Sequence, residues 1–136
     1  MLRQETRARA RALQILYAWD QRGQPSIESV IARLAPLWGP GPALDRAADL
    51  AAKAAAGAAD FDRDVADAAH HWRLERLGAI ERNLLRLALA ELAEGATPPR
   101  VVIDEAVRLA HWFAGPRAPG FVNGILDAVA RDAGAL

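Results

Sequence analysis

The chain has no cysteine among its 136 residues, which excludes disulfides, thiolate metal sites and thiol nucleophiles together. Histidine is scarce as well. His70 and His71 are adjacent, so on a helix they point to different faces and make a poor pair of metal ligands, and His111 stands apart. The only serines are Ser26 and Ser29, and no Gly-x-Ser-x-Gly surrounds either. A single lysine, Lys53, lies outside any Gly-x-x-x-x-Gly-Lys, and the stiff Gly39-Pro40-Gly41-Pro42 stretch does not cradle phosphates. No apolar run approaches the ~20 residues that span a bilayer. The start, Met1-Leu2-Arg3-Gln4-Glu5, lacks an apolar signal core, so the expectation is a cytoplasmic protein without a membrane partner. No catalytic constellation and no cofactor motif emerges, and the chain reads as a binding protein rather than an enzyme.

What is present is helix former. Half of the residues are apolar, alanine and leucine dominate, and β-branched residues seldom cluster. The length suits one domain with a real core. Seventeen basic and seventeen acidic residues cancel, but their distribution does not. Residues 1–22 carry Arg3, Arg7, Arg9, Arg11 and Arg22 against Glu5 and Asp20, a local balance of +3. Residues 45–67 carry six aspartates against Arg46, Lys53 and Arg63, a balance of −3. Sixteen arginines to one lysine, beside abundant alanine, reflects biased genome composition more than selection for guanidinium chemistry.

Breakers divide the chain into about seven helices. The first spans 4–21 and stops before Gly23-Gln24-Pro25. The second opens on Ser26 as N-cap, with Glu28 in its first turn, and stops before the Pro36–Pro42 loop. The third covers 43–56, with Gly57 as its stop, and the fourth covers 60–72, led by acids. The fifth, 80–94, has leucines on more than one stripe (Leu84, Leu85, Leu87, Leu89, Leu92) and is expected at the centre of the fold. The sixth follows Pro98-Pro99 with a core face of Val102, Ile103, Ala106, Val107, Ala110 and Phe113. The seventh follows the Gly115–Gly120 loop. The fold expected is an all-α bundle without internal repeats, and its carboxylates, such as Asp104 at i, i+4 from Arg108, have arginine partners ready on the same helices.

Two features point to a ligand. On the first helix, with Leu16 centring a core face that includes Ala12, Leu13 and Trp19, residues Arg3, Arg7, Arg11 and Gln14 fall opposite within an arc of about 80°. Such a stripe is either a solvated face or a track for phosphates. On the seventh helix Val122, Ile125, Leu126 and Val129 share a buried face, with Phe121 at its edge and Asn123 and Gly124 beyond it. An aromatic ring beside a helix N-terminus suits a stacked base and a seated phosphate, and a loosely packed helix start is the plainer alternative.

The same residues carry a resemblance. Arg7-Ala8-Arg9 with Ala12-Leu13-Gln14-Ile15-Leu16-Tyr17-Ala18-Trp19-Asp20, then Trp72–Leu77 with Ile80–Ala88, Glu91 and Leu92, then Val101–Ala110, and finally Phe121–Asp127 resemble, in order and spacing, the NusB family of bacterial transcription antitermination factors. Only 24–71 matches weakly. The resemblance implies two small helical subbundles packed as one domain over 1–136, and binding to the boxA element of ribosomal RNA transcripts. It also implies a protein partner, NusE, a ribosomal small-subunit protein, within the RNA polymerase antitermination complex. Carried over, it names Arg7, Arg9, Phe121 and Asn123 for RNA, with Arg3, Arg11 and Arg117 as further basic candidates. For the protein partner it names Tyr17, Glu75, Arg76 and Glu81. The chain departs from the family at Glu5 and Thr6, where bases are usual, at Gly120 for lysine and at Asp104 for asparagine, which implies weaker RNA affinity alone and heavier reliance on NusE. Two other readings stand beside this one. The same module precedes the catalytic domain of some ribosomal RNA cytosine methyltransferases, against which the end of this chain just after the seventh helix speaks. A protein-only adaptor with solvated arginines is the other.

Overall fold

The computed structural model describes residues 3–69 and 77–136. Helices α1 (Gln4–Gln21), α2 (Ile27–Trp38), α3 (Pro42–Ala56), α4 (Ala58–Ala68), α5 (Ala79–Glu94), α6 (Pro99–Phe113) and α7 (Ala118–Asp132) account for the architecture, and no strand occurs among the described residues. The fold is all-α, as expected.

Helix α5 is the hub. It packs on α1, α3, α4, α6 and α7, with α1–α3 in mutual contact as one subbundle and α4, α6 and α7 linked through α7 as a second. Every residue from Asn83 to Glu91 is buried, which is what leucines on several stripes require. Gly95, at φ 74°, takes the left-handed conformation that ends the helix.

Boundaries follow local chemistry. Ser26 caps α2 by accepting from the Ser29 backbone N–H at 3.1 Å. The helix then runs through Pro36 to Trp38 rather than stopping before the proline. A proline in the last turn removes one hydrogen bond, and the Gly39 N–H closes the turn on the Ala35 carbonyl at 3.1 Å. Gly57 ends α3 and caps α4. A Cβ there would come within 2.5 Å of the Phe61 ring, so the absence of a side chain lets the ring close the α3–α4 corner. Helix α4 begins at Ala58, two residues before the expected start, and the expected end at Trp72 lies outside the described residues.

Charged side chains join the helices. Arg86 of α5 reaches Asp62 of α4 through Nε and Nη2 at 2.8 and 2.7 Å, and Asp20 of α1 at 3.2 Å. Its guanidinium also lies 5.8 Å from the centroid of the Trp19 ring. Arg46 and Lys53 of α3 converge on Glu94 of α5. Among the described residues no helix is long and apolar enough to cross a membrane.

Candidate nucleic-acid interface

The α1 pattern holds. Ala12, Leu13, Leu16 and Trp19 are buried, while Arg3 and Gln14 are exposed and Arg7 and Arg11 are half-buried on the far side. Arg11 is held against the end of α2, its guanidinium 5.6 Å from the centroid of the Trp38 ring.

Arg9 departs from its expected role. Only 7% exposed, it donates to both oxygens of Glu91 at 2.8 and 2.5 Å and to Glu105 at 3.0 Å. The Glu91 hydrogen bond, outweighing burial, raises its pKa above the ordinary value. A guanidinium enclosed by two carboxylates is a structural clamp, not a phosphate contact. The sequence carried this signal: Arg9 precedes Leu16 by seven residues, which puts it about 20° from the centre of the core face.

Glu105 is the junction of the site. One of its oxygens accepts from Thr6 Oγ1 at 2.5 Å and from Arg9, and the other pairs with Arg108 Nε at 3.1 Å. Arg108 therefore takes Glu105 at i−3, not Asp104 at i−4 as the sequence suggested, and Asp104 faces solvent. Helices α6 and α7 pack closely, and Arg100 of α6 pairs with Asp127 of α7 at 3.5 Å. Through Thr6 and Arg9 the first turns of α1 dock on α6.

On α7, Val122, Ile125 and Leu126 are fully buried, Phe121 is half-buried against the core, and Asn123 is exposed, as the periodicity required. One expectation fails. Helix α7 begins at Ala118, with Pro119 in the first turn, so the Phe121 N–H already donates to the Arg117 carbonyl at 3.3 Å. The backbone from Phe121 onward lies inside the helix and offers no N-terminal phosphate seat. Arg117, the exposed N-cap residue, marks the actual helix start.

Two of the protein-partner candidates, Tyr17 and Glu81, are among the described residues, and Ile80, next to Glu81, lines the same groove as Tyr17. Tyr17, 42% exposed, lines a groove of about 310 Å³ with Leu13, Leu34, Leu37, Trp38 and Phe113. Phe113 belongs to this groove rather than to the core, because it is the last residue of α6 and 38% exposed. Glu81 turns back to accept from the Gly78 backbone N–H at 3.1 Å, capping α5. Glu75 and Arg76 lie outside the described residues.

The NusB family model matches residues 6–131. The chain belongs to the NusB family. Among relatives, a transcription antitermination protein NusB of Solibacter usitatus (strain Ellin6076) is 44% identical over 128 residues, covering 93% of this chain and 88% of its own. One from Anaeromyxobacter dehalogenans (strain 2CP-1 / ATCC BAA-258) is 38% identical over 135 residues, covering 96% and 92%. Among solved structures, T. maritima NusB superposes with a TM-score of 0.84 at 28% identity, covering 97% of this chain and 94% of its own. A chain from the crystal structure of antitermination factors NusB and NusE in complex with dsRNA gives 0.80 at 31% identity, covering 97% and 99%. The all-helical architecture is therefore the family's, and NusB relatives of this chain are antitermination proteins.

Proposed function

We propose that this chain is a transcription antitermination factor that binds the boxA element of ribosomal RNA transcripts together with NusE, in the RNA polymerase antitermination complex. The observation that carries the reading is the pair of faces the fold leaves open, the arginine edge of α1 opposite its buried stripe and, on α7, the half-buried Phe121 with exposed Asn123. A cationic edge together with an aromatic ring is the combination that single-stranded RNA recognition uses, phosphates on the arginines and bases on the ring. Arg3, Arg7, Arg11, Arg117, Phe121 and Asn123 form the proposed RNA face, and Arg9 is left out of it. The Tyr17 groove is the proposed seat of NusE, since its lining is mostly apolar and Tyr17 and Leu37 stand exposed. The likeness to a NusB chain solved with NusE and double-stranded RNA supports both partners.

The test is a titration of boxA RNA, single-stranded and as a duplex, against a scrambled sequence, at fixed salt, with and without NusE. Preference for single-stranded boxA that sharpens with NusE is the expected result. Equal binding to all RNAs under both conditions would leave a non-specific RNA binder, and absence of RNA binding with NusE binding retained would leave a protein-only adaptor.

A further inference from the structure

Trp112 is an aromatic residue to which the fold gives no core role. It is 45% exposed, on the outer face of α6, and its ring meets that of Phe113 in a near-perpendicular contact, with centroids 6.4 Å apart and planes at 80°. That contact restricts the tilt of the indole while the residue stays open to solvent. Phe113 lines the Tyr17 groove, but Trp112 does not. The indole therefore stands beside that groove without lining it.

One turn earlier on the same face of α6 stands Arg108, its side chain 56% exposed and steered by the 3.1 Å pair with Glu105. Glu105 is also where Thr6 and Arg9 dock α1. The Arg108–Trp112 stripe thus starts beside the residue that anchors α1 on α6, and along the chain it leads to exposed Arg117 at the head of α7. Asp104, exposed one turn before Arg108, closes the cationic stripe on its other side, so an RNA strand crossing this face would run toward α7.

We propose that Trp112 and Arg108 are a further contact for single-stranded RNA, the indole stacking on an unpaired base and the guanidinium meeting an adjacent phosphate. This extends the RNA face of α1 and α7 across α6 and rests on the RNA-binding reading above. Stacking tolerates any base, so the contact adds affinity and register rather than sequence choice.

The experiment uses the full chain with single-stranded boxA RNA and the scrambled control, and compares Trp112→Ala, Trp112→Phe and Arg108→Ala. Trp112→Ala should weaken binding to both RNAs by about 5- to 150-fold, the range for loss of one aromatic stack. Trp112→Phe should restore most of that loss. Arg108→Ala should lower the slope of log affinity against log salt by roughly 0.7, the value of one phosphate on a single strand. Affinity for NusE measured without RNA should stay unchanged in all three. RNA binding by the unaltered chain that Trp112→Ala leaves intact overturns this contact alone, and so does a loss of NusE affinity with RNA affinity kept. Absence of RNA binding by the unaltered chain overturns this contact and the RNA-binding reading together.

Discussion

Nε and Nη2 of Arg9 donate to the two carboxylate oxygens of Glu91 at 2.8 and 2.5 Å, a fork-to-fork pair sealed between α1 and α5. With Arg9 7% and Glu91 2% exposed, neither charge can recover its hydration if the other is removed. Arg9→Ala should therefore cost about 3–5 kcal/mol of stability, the range for breaking a buried pair by deleting one partner. Glu91→Ala should cost a similar amount, and the double variant less than the sum of the two. Urea unfolding of the three variants checks this. Simple additivity would show that the two residues act independently.

Acid should weaken the fold through two carboxylates that join helices, Glu94 and Asp20. Glu94 falls from 4.5 to about 2, chiefly by the hydrogen bond from Arg46, with burial opposing and Lys53 assisting. Asp20 falls from 3.8 to about 2, where burial pushes upward and is outweighed by donors on Gln24, Arg82 and Asn83 and by the charge of Arg86. Both values are depressed in the folded state, so the stabilisation is fully present above the unfolded values. It is lost as pH falls through the window toward about 2. Melting temperature should hold steady down to about pH 5 and drop below it. Glu94→Gln should melt lower at neutral pH and show a shallower acid limb.

How far the sequence could be read depended on whether a residue's role is local. The stripes of α1 and α7 were legible because burial there follows the helical period, and Leu16, Val122 and Ile125 are all fully buried. The hub position of α5 was legible from its leucines. The beginning of α7 was not, because Pro119 and Gly120 read as a loop, although proline in a first turn costs no hydrogen bond. Pro36 misled for the matching reason at the end of α2. The partners of Glu105 and Glu94 were beyond reach, since Thr6–Glu105 and Arg46–Glu94 join residues distant in sequence. Arg9 is the instructive case. Its spacing from Leu16 pointed inward while the family pattern pointed to RNA, and the buried carboxylate of Glu91 decides for the spacing.

The α1 edge gives a prediction in salt. Arg7→Ala and Arg11→Ala should each reduce the slope of log affinity for single-stranded RNA against log salt by roughly 0.7. Arg11 stacks on Trp38, so its replacement should also loosen the contact between α1 and the end of α2 slightly. Titrations at several salt concentrations, with melting curves alongside, separate the two effects. An unchanged slope in the double variant would make this edge a solvated face.

Phe121 divides its ring between core and surface, so its truncation should have two separable consequences. The residue is half-buried against the core beside fully buried Val122, and the same helix presents exposed Asn123. Losing the packed part of the ring should cost roughly half of the ~3–5 kcal/mol seen for a fully buried phenylalanine. Losing the exposed part should cost about 1–3 kcal/mol of RNA binding if a base stacks there. Phe121→Leu keeps most of the packing and removes the aromatic face. It should recover much of the melting temperature lost by Phe121→Ala and little of the RNA affinity. Melting and RNA titration of both variants decide the matter. If Phe121→Leu binds RNA as well as the unaltered chain, the ring is a packing residue of α7 and the base must be held elsewhere on the face.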